Sequence, residues 1–290
     1  MTQNIAFLGL GVMGAPMAGH LSTKTESSLT VYNRTAKKSD EWANIYRGSV
    51  VTTPAEAARN AKIIFLCVGN DHDLEHVLTG PDGVVETISP GTIIVDHTTV
   101  SADISRRMYE QFKNIDVDFL DAPVSGGQTG AEKGALSVMV GGHQKAFDAV
   151  APLIRKAYGK EVRLIGPSGT GQTAKMLNQI CIAATVQGLA EALAFGQKAG
   201  LNMEEVLAVI SKGAAQSWQM ENRSPTMLQD KFDFGFALDW MIKDLGIAIE
   251  EAKRHGAAVP GTETILSYYK ELSDQGHGRL DTSALIKRLR

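Results

Sequence analysis

Cysteine is scarce in this chain. There are two, Cys67 and Cys181, with no CxxC pair and no Cys/His spacing of the kind that builds a zinc site. Cys67 lies in the apolar run KIIFLCV and Cys181 in ICIAA. Both read as core thiols, which suits a reducing compartment, and no metal is expected. Excess charge of either sign is missing too. Lys and Arg number 29 against 32 Asp and Glu, a formal net charge of -3. That balance gives no basic footprint for a nucleic acid. No basic, signal-like apolar stretch opens the chain. The longest apolar region, around 180–195, is interrupted by Gln187 and Glu191, so no membrane span is expected. A soluble, cytoplasmic protein is the reading these absences leave.

Glycine is plentiful instead, 29 of 290 residues, above the usual share of roughly 7%. Its placement follows an alternating pattern. Short apolar runs (NIAFLGL, LTVYN, AKIIFLCV, GTIIVDH, VDFLDAPV) end in turn residues or polar side chains and are separated by polar segments with helical spacing, such as ADISRRMYEQFKN. Strands alternating with helices predict βαβ units and a parallel sheet covered on both faces. LSVMVGG and EVRLIG, with a helix between them, complete this half. After Gly166 a breaker cluster of Pro167, Ser168, Gly169 and Gly171 marks a change. From Thr170 to about Lys198 a single helix is predicted, about 40 Å long at roughly 1.5 Å per residue, with Gly200 as its C-terminal cap. The remainder is helical by period. The expected division is therefore an α/β domain over 1–166 and an all-helical domain over 167–290.

The opening IAFLGLGVMGAPMAGHL sets Gly9, Gly11 and Gly14 in G-x-G-x-x-G spacing between a strand and a helix. Gly9 permits the tight turn, Gly11 lets backbone approach a pyrophosphate, and Gly14 allows close helix–strand packing. Leu10, Val12 and Met13 complete the loop, and Val68, at the end of a neighbouring strand, is grouped with the cofactor contacts. The phosphates would meet the positive end of the helix. A site for NAD normally has Asp or Glu about 20 residues on, bonded to the ribose 2′-hydroxyl. Here the second strand ends in Asn33, Arg34 and Thr35. Arg34 can fork onto a 2′-phosphate, with Asn33 and Thr35 adding hydrogen bonds. NADP, with NADPH preferred over NADH, is the expectation; the blander view makes Arg34 a solvated loop charge.

Two further motifs carry chemistry. DAPVSGG, Asp121 to Gly127, ends a strand where α/β sheets present ligands. Ser125 with the backbone amides of Gly126 and Gly127 could bind a small carboxylate, or the segment could be a structural bulge. In GTGQTAKMLNQ, Lys175, Asn178 and Gln179 share one face of the long helix. An amine there could give a proton to a carbonyl that receives hydride, or it could be a surface lysine with amide neighbours.

The ordered set GLGVMG, DAPVSGG, GxGxxxKxxN and KDL resembles the β-hydroxyacid dehydrogenase family over essentially the whole chain. The resemblance implies a Rossmann-like N-terminal domain, a long interdomain helix and an all-α C-terminal domain that forms dimers or tetramers. It implies that Lys175 is the catalytic lysine and that Ser125, Gly126, Gly127 and Asn178 line a site for a small 3-hydroxy acid or its semialdehyde; Gln179, beside Asn178, is grouped with these substrate residues. Thr99, in VDHTTVS, matches a cofactor-contacting threonine, and Lys243, in IKDL, a lysine near the nicotinamide. Many members carry two asparagines after the lysine; Asn178-Gln179 is closer to the tartronate semialdehyde reductase group. A glutamine there would narrow the pocket or offer its amide to a substrate hydroxyl. Glyoxylate or succinic semialdehyde reduction is the alternative within the family. Imine reductases share the architecture but usually replace the lysine, a 6-phosphogluconate dehydrogenase needs a larger helical domain, and a non-catalytic NADP-binding protein would be expected to lose the lysine or the glycine loop.

Overall fold

The computed structural model describes residues 3–290, which form two compact units, one ending at Lys175 and one running from Met176 to Arg290. In the first unit β1 (Asn4–Leu8), β2 (Ser28–Tyr32) and the short β3 (Ser49–Val50) alternate with α1 (Gly14–Lys24), α2 (Ala36–Ala43) and α3 (Pro54–Ala58). There follow β4 (Ile63–Leu66), α4 (Asp71–Thr79), β5 (Ile93–Asp96), α5 (Ala102–Lys113) and β6 (Asp118–Asp121). The two-residue β7 (Val124–Ser125), α6 (Gly127–Lys133), β8 (Leu136–Gly141), α7 (Gln144–Ala157) and β9 (Gly159–Gly166) complete the sheet.

The strand order is β3-β2-β1-β4-β5-β6-β8-β7, with β9 also on β8. Strands β1 to β6 pair in parallel, and the order reverses between β1 and β4, the switch point where doubly wound sheets bind ligands. Alternation explains the two cores. Ile5, Phe7, Ile63, Phe65 and Leu120 face one way, onto Met17, Leu21, Val150 and Ile154. Ala6, Leu8, Ile64, Leu66 and Phe119 face the other, onto Leu74, Leu78, Met108 and Phe112. A strand covered on both sides is apolar at every position, hence the unbroken runs in the sequence.

The all-parallel expectation fails at the far edge. β8 runs antiparallel to β6 and β7; from β7 the link to Leu136 is shorter than the dozen or so residues a parallel crossover needs.

Helix α8 (Thr170–Lys198) begins in the first unit and continues into the second. It stops where the sequence predicts: Gly200 adopts φ +73, and Leu201 N donates to Gly196 O at 3.1 Å, taking up an otherwise orphaned carbonyl. By length and composition α8 could cross a membrane, but half of its most apolar window is buried within the chain, as in a core helix. The two units divide inside this helix, beyond the breaker cluster after Gly166. The second unit adds α9 (Met203–Ile210), α10 (Trp218–Leu228), α11 (Leu238–Arg254), α12 (Pro260–Leu272) and a closing 3-10 turn, Thr282–Leu289. Its core joins Val186, Leu189 and Leu193 of α8 to Met227, Met241, Leu245 and Tyr269. The expectation of two core thiols is corrected: Cys67 is half-buried and Cys181 is exposed. The α8 face bearing Cys181 also leaves Leu177 and Phe195 uncovered, so apolar neighbours along the sequence did not imply burial.

Candidate active site

The glycine loop leaves β1 at the switch point, and its three glycines answer three different demands. Gly9 has φ +96, and a Cβ on it would lie 2.2 Å from the Cys67 carbonyl oxygen. A Cβ on Gly14 would lie 1.9 Å from the Gly9 oxygen. At Gly11 a Cβ would meet nothing within 4 Å, so the space above it is open to a ligand rather than filled by protein. Helix α1 has no side-chain cap and no acid in its first turn, leaving its amides and positive end suited to an anion. Among the other loop residues Leu10 is buried and Val12 exposed, while Val68 sits half-buried beside Gly9.

Asn33 braces this loop. Its Oδ1 accepts from Leu10 N at 2.8 Å, and its Nδ2 donates to Thr35 O at 3.0 Å. Arg34 is exposed and pairs with Asp73 of α4 at 2.9 Å. Thr35 precedes α2 without using its side chain as a cap, and that helix has no acid in its first turn. Lys37 and Lys38, also exposed, stand in that turn. The end of β2 thus gathers positive charge; the carboxylate on Arg34 comes from 39 residues further along the chain, and Lys37 lies 3.8 Å from Glu41 of its own helix.

The ends of β5 and β6 are bound to the start of α8. Asp121 Oδ1 accepts from Gly169 N at 2.7 Å and Oδ2 from Gln172 N at 3.0 Å, so a carboxylate meets the positive end of the helix. Burial pushes its pKa up to about 6, against the pull of these amides. Gln172 ties the same turn to the β5 loop: Nε2 donates to Thr98 O at 2.8 Å, and Oε1 accepts from Val100 N at 3.2 Å. Thr98 in turn bonds Val68 N through its hydroxyl, and Thr99 beside it is half-buried. Lys175, in the second turn of α8, is only 7% exposed. Ser125 is half-buried and Gly126 and Gly127 are exposed; their φ values of +136 and +60 favour glycine at both positions. The strand that ends in Asp121 therefore carries the serine–glycine loop directly after the group that holds the lysine's helix.

Two buried groups lie behind this constellation. Asp96 accepts from Thr98 N at 2.9 Å, and burial raises its pKa to about 7. His97 lies between Ala122 O at 2.7 Å and the Tyr158 hydroxyl at 2.6 Å. Burial lowers its pKa to about 4, so it is neutral at pH 7, with Nδ1 donating to the carbonyl and Nε2 accepting from Tyr158.

In the second unit Asn178 Nδ2 donates to Gln179 Oε1 at 2.8 Å, and Gln179 Nε2 donates to Asp244 Oδ2 at 2.6 Å. The other Asp244 oxygen lies 3.2 Å from Lys243 Nζ, and the carboxylate is buried. Gln179, expected to face a substrate hydroxyl, has both amide atoms engaged within this unit.

Comparison with known proteins now decides the family. Residues 4–166 match the NAD-binding domain of 6-phosphogluconate dehydrogenase, and residues 169–289 match the NAD-binding domain of NADP-dependent 3-hydroxyisobutyrate dehydrogenase. An oxidoreductase of Shewanella frigidimarina is 54% identical, with 98% of this chain and 97% of that one covered. The 2-hydroxy-3-oxopropionate reductase of Escherichia coli is 35% identical over 99% and 97%. The chain belongs to the β-hydroxyacid dehydrogenase family. As a β-hydroxyacid dehydrogenase it is an NAD(P)-dependent oxidoreductase of the 3-hydroxyacid dehydrogenase/semialdehyde reductase type. Among solved structures, a 3-hydroxyisobutyrate dehydrogenase of Mycobacterium tuberculosis with L-serine superposes with a TM-score of 0.89 at 28% identity, each chain covered in full.

Three site groups of this β-hydroxyacid dehydrogenase escaped the motif reading: Asp73, Asp121 as the holder of α8, and Asp244. Asp121 had a signal, since a carboxylate ending the apolar run VDFLD must find donors if buried. Asp244, in MIKDLGIAI, had the same one. Asp73 had none, because only the tertiary fold brings α4 to Arg34.

Proposed function

We propose that this enzyme uses NADPH to reduce a small 3-oxo acid or semialdehyde to its 3-hydroxy acid, reversibly, with Lys175 as general acid. The supporting observation is the clamp at the start of α8: Asp121 and Gln172 hold the helix against the strand ends that bear Thr99 and Ser125, and Lys175 is buried just beyond it. A bound nicotinamide would supply the hydride. Ser125, Gly126 and Gly127 would hold the substrate carboxylate through a hydroxyl and backbone amides, which suits an acid of about two to four carbons. Lys175 would give its proton to the carbonyl oxygen as charge develops there. Asn178 and Lys243 are assigned to the substrate and cofactor by the family likeness. NADPH is preferred on the strength of Arg34, Thr35, Lys37 and Lys38 around the end of β2.

Polar semialdehydes are the favoured candidates, on the strength of two relatives. The E. coli relative bears the name of a 2-hydroxy-3-oxopropionate reductase, and the M. tuberculosis enzyme was solved with L-serine. The test is NADPH oxidation with tartronate semialdehyde, methylmalonate semialdehyde, succinic semialdehyde and glyoxylate, with serine and 3-hydroxyisobutyrate in reverse. A kcat/KM for tartronate semialdehyde at least tenfold above the others supports the reading; glyoxylate or succinic semialdehyde in first place would replace it. A cytoplasmic site of action, with two cysteines and no disulfide, and a homo-oligomeric state belong to the same proposal.

A further inference from the structure

Gln179 lies between two polar groups with opposite requirements. Asp244 is buried with Lys243 Nζ 3.2 Å away, and a carboxylate can only accept. Gln179 must therefore turn its NH2 toward Asp244, where the bond is 2.6 Å. That choice leaves Oε1 on the other side, and Oε1 can accept only from a donor. Asn178 accordingly turns its own NH2 toward Gln179, at 2.8 Å. An amide free to rotate has two orientations that differ little in energy. Here a fixed charge selects one of them in Gln179 and, through it, one in Asn178.

We propose that Gln179 is a positioning residue, which transmits the polarity of the Asp244 carboxylate to Asn178 and so fixes the Asn178 amide with its carbonyl oxygen turned away from Gln179. The inference rests on the reading of Asn178 as a substrate-site residue. The group presented to the substrate is then an acceptor, suited to the hydroxyl of a hydroxy acid. Gln179 serves specificity without touching the ligand. An asparagine at 179 is one methylene shorter and could not span the same gap from this backbone position.

The charged groups to consider are Asp244 and Lys243 of α11 and Lys175, four residues earlier on Gln179's own helix. Two substitutions separate positioning from packing. Gln179→Met keeps the volume and removes both bonds. Gln179→Glu can restore the bridge only when protonated, its O–H donating to Asp244 and its C=O accepting from Asn178. Ionised, it sets two carboxylates together and the bridge fails.

The experiment measures KM for the best hydroxy acid from pH 6 to 9, with NADPH dissociation constants as the control for folding and cofactor binding. In Gln179→Met, KM should rise about tenfold at every pH, the scale of one lost net hydrogen bond, with NADPH affinity within twofold of native. In Gln179→Glu, KM should be near native at pH 6 and climb to the Met value by pH 9. Taken relative to native at each pH, the Glu variant's thermal midpoint should fall over the same range while the Met variant's offset stays level. A native enzyme that turns over the acids while both variants keep its KM at all pH values overturns the inference and leaves the proposed function intact. So does a KM for Gln179→Glu that rises equally at every pH. A native enzyme inactive on every acid fails the functional reading instead, and the thermal midpoints then judge the bridge: a Gln179→Glu profile parallel to native means Gln179 does not join Asp244.

Discussion

Arg34 is 79% exposed and shares its charge with Asp73. An exposed pair of this kind contributes at most about 1 kcal/mol, so a doubly charged 2′-phosphate can displace the carboxylate. Two changes should then move cofactor choice in opposite directions. Arg34→Asp should shrink or reverse an NADPH preference of at least tenfold. Asp73→Asn should tighten NADPH a few-fold and leave NADH within twofold. Fluorescence titration of both cofactors checks this, and equal native affinities would refute the preference. At Lys175, replacement by Met should leave NADPH binding near native and lower turnover by about 10²–10⁴, the range for a lost general acid. A variant retaining more than half the native rate would place the proton donor elsewhere. The geometry of this site was legible where packing needs a fixed residue type at a fixed spacing, as with the turn at Gly9 and the close approach at Gly14. It was illegible where a partner arrives from a distant element: nothing in DHDLEH announces that Asp73 meets Arg34, and nothing around Gln179 announces Asp244.

At the scale of elements, the start of α8 depends on carboxylates held in a dry environment. Asp96 and Asp121 have native pKa values raised to about 7 and about 6 by burial, above the roughly 4 of an unfolded chain. Such groups bind protons more tightly when folded, so their contribution to stability is fully present below about pH 4 and is lost as pH rises to about 7. His97, lowered to about 4, works the other way, contributing more as pH rises from about 4 to 6.5. Asp96→Asn should therefore leave a profile that rises more, or falls less, between pH 5 and pH 8 than the native one, read as urea midpoints. Parallel profiles would show that Asp96 stays ionised in the fold. Asp121→Asn should cost about 1.5–3 kcal/mol, because a charge-assisted bond to a helix amide is lost and an NH2 faces an N–H, and it should lower turnover as well. The strands and helices themselves were readable from periodicity, down to the end of α8 at Gly200. The antiparallel β8 was not, since apolar runs buried on both faces look alike in either direction.

For the molecule as a whole, the uncovered side of α8 is the informative surface. Leu177 is 59% exposed and Phe195 73%, and Cys181, Ala184 and Gly188 lie uncovered between them. Val209, Trp218 and Trp240 add further exposed apolar area on the second unit. An apolar face of this extent is expected to meet another copy of the chain. Light scattering should give a mass of at least twice 31.1 kDa at micromolar concentration, and Phe195→Glu should lower it. A native monomer across that range would refute the assembly.

The glycine loop has a consequence for how this sequence can drift. Gly9 and Gly14 are closed by the protein's own carbonyl oxygens, so any descendant that keeps the fold must keep them, whether or not it binds a nucleotide. Gly11 is different: no atom of the protein lies near enough to forbid a methyl group. Selection for folding alone would let alanine or serine in. Selection for a bound pyrophosphate would not. A library randomised at the three positions and sorted only for soluble, folded protein should hold Gly9 and Gly14 and release Gly11, whereas sorting for NADPH binding should restore all three. That one position records whether a lineage has been kept for its ligand or merely for its shape.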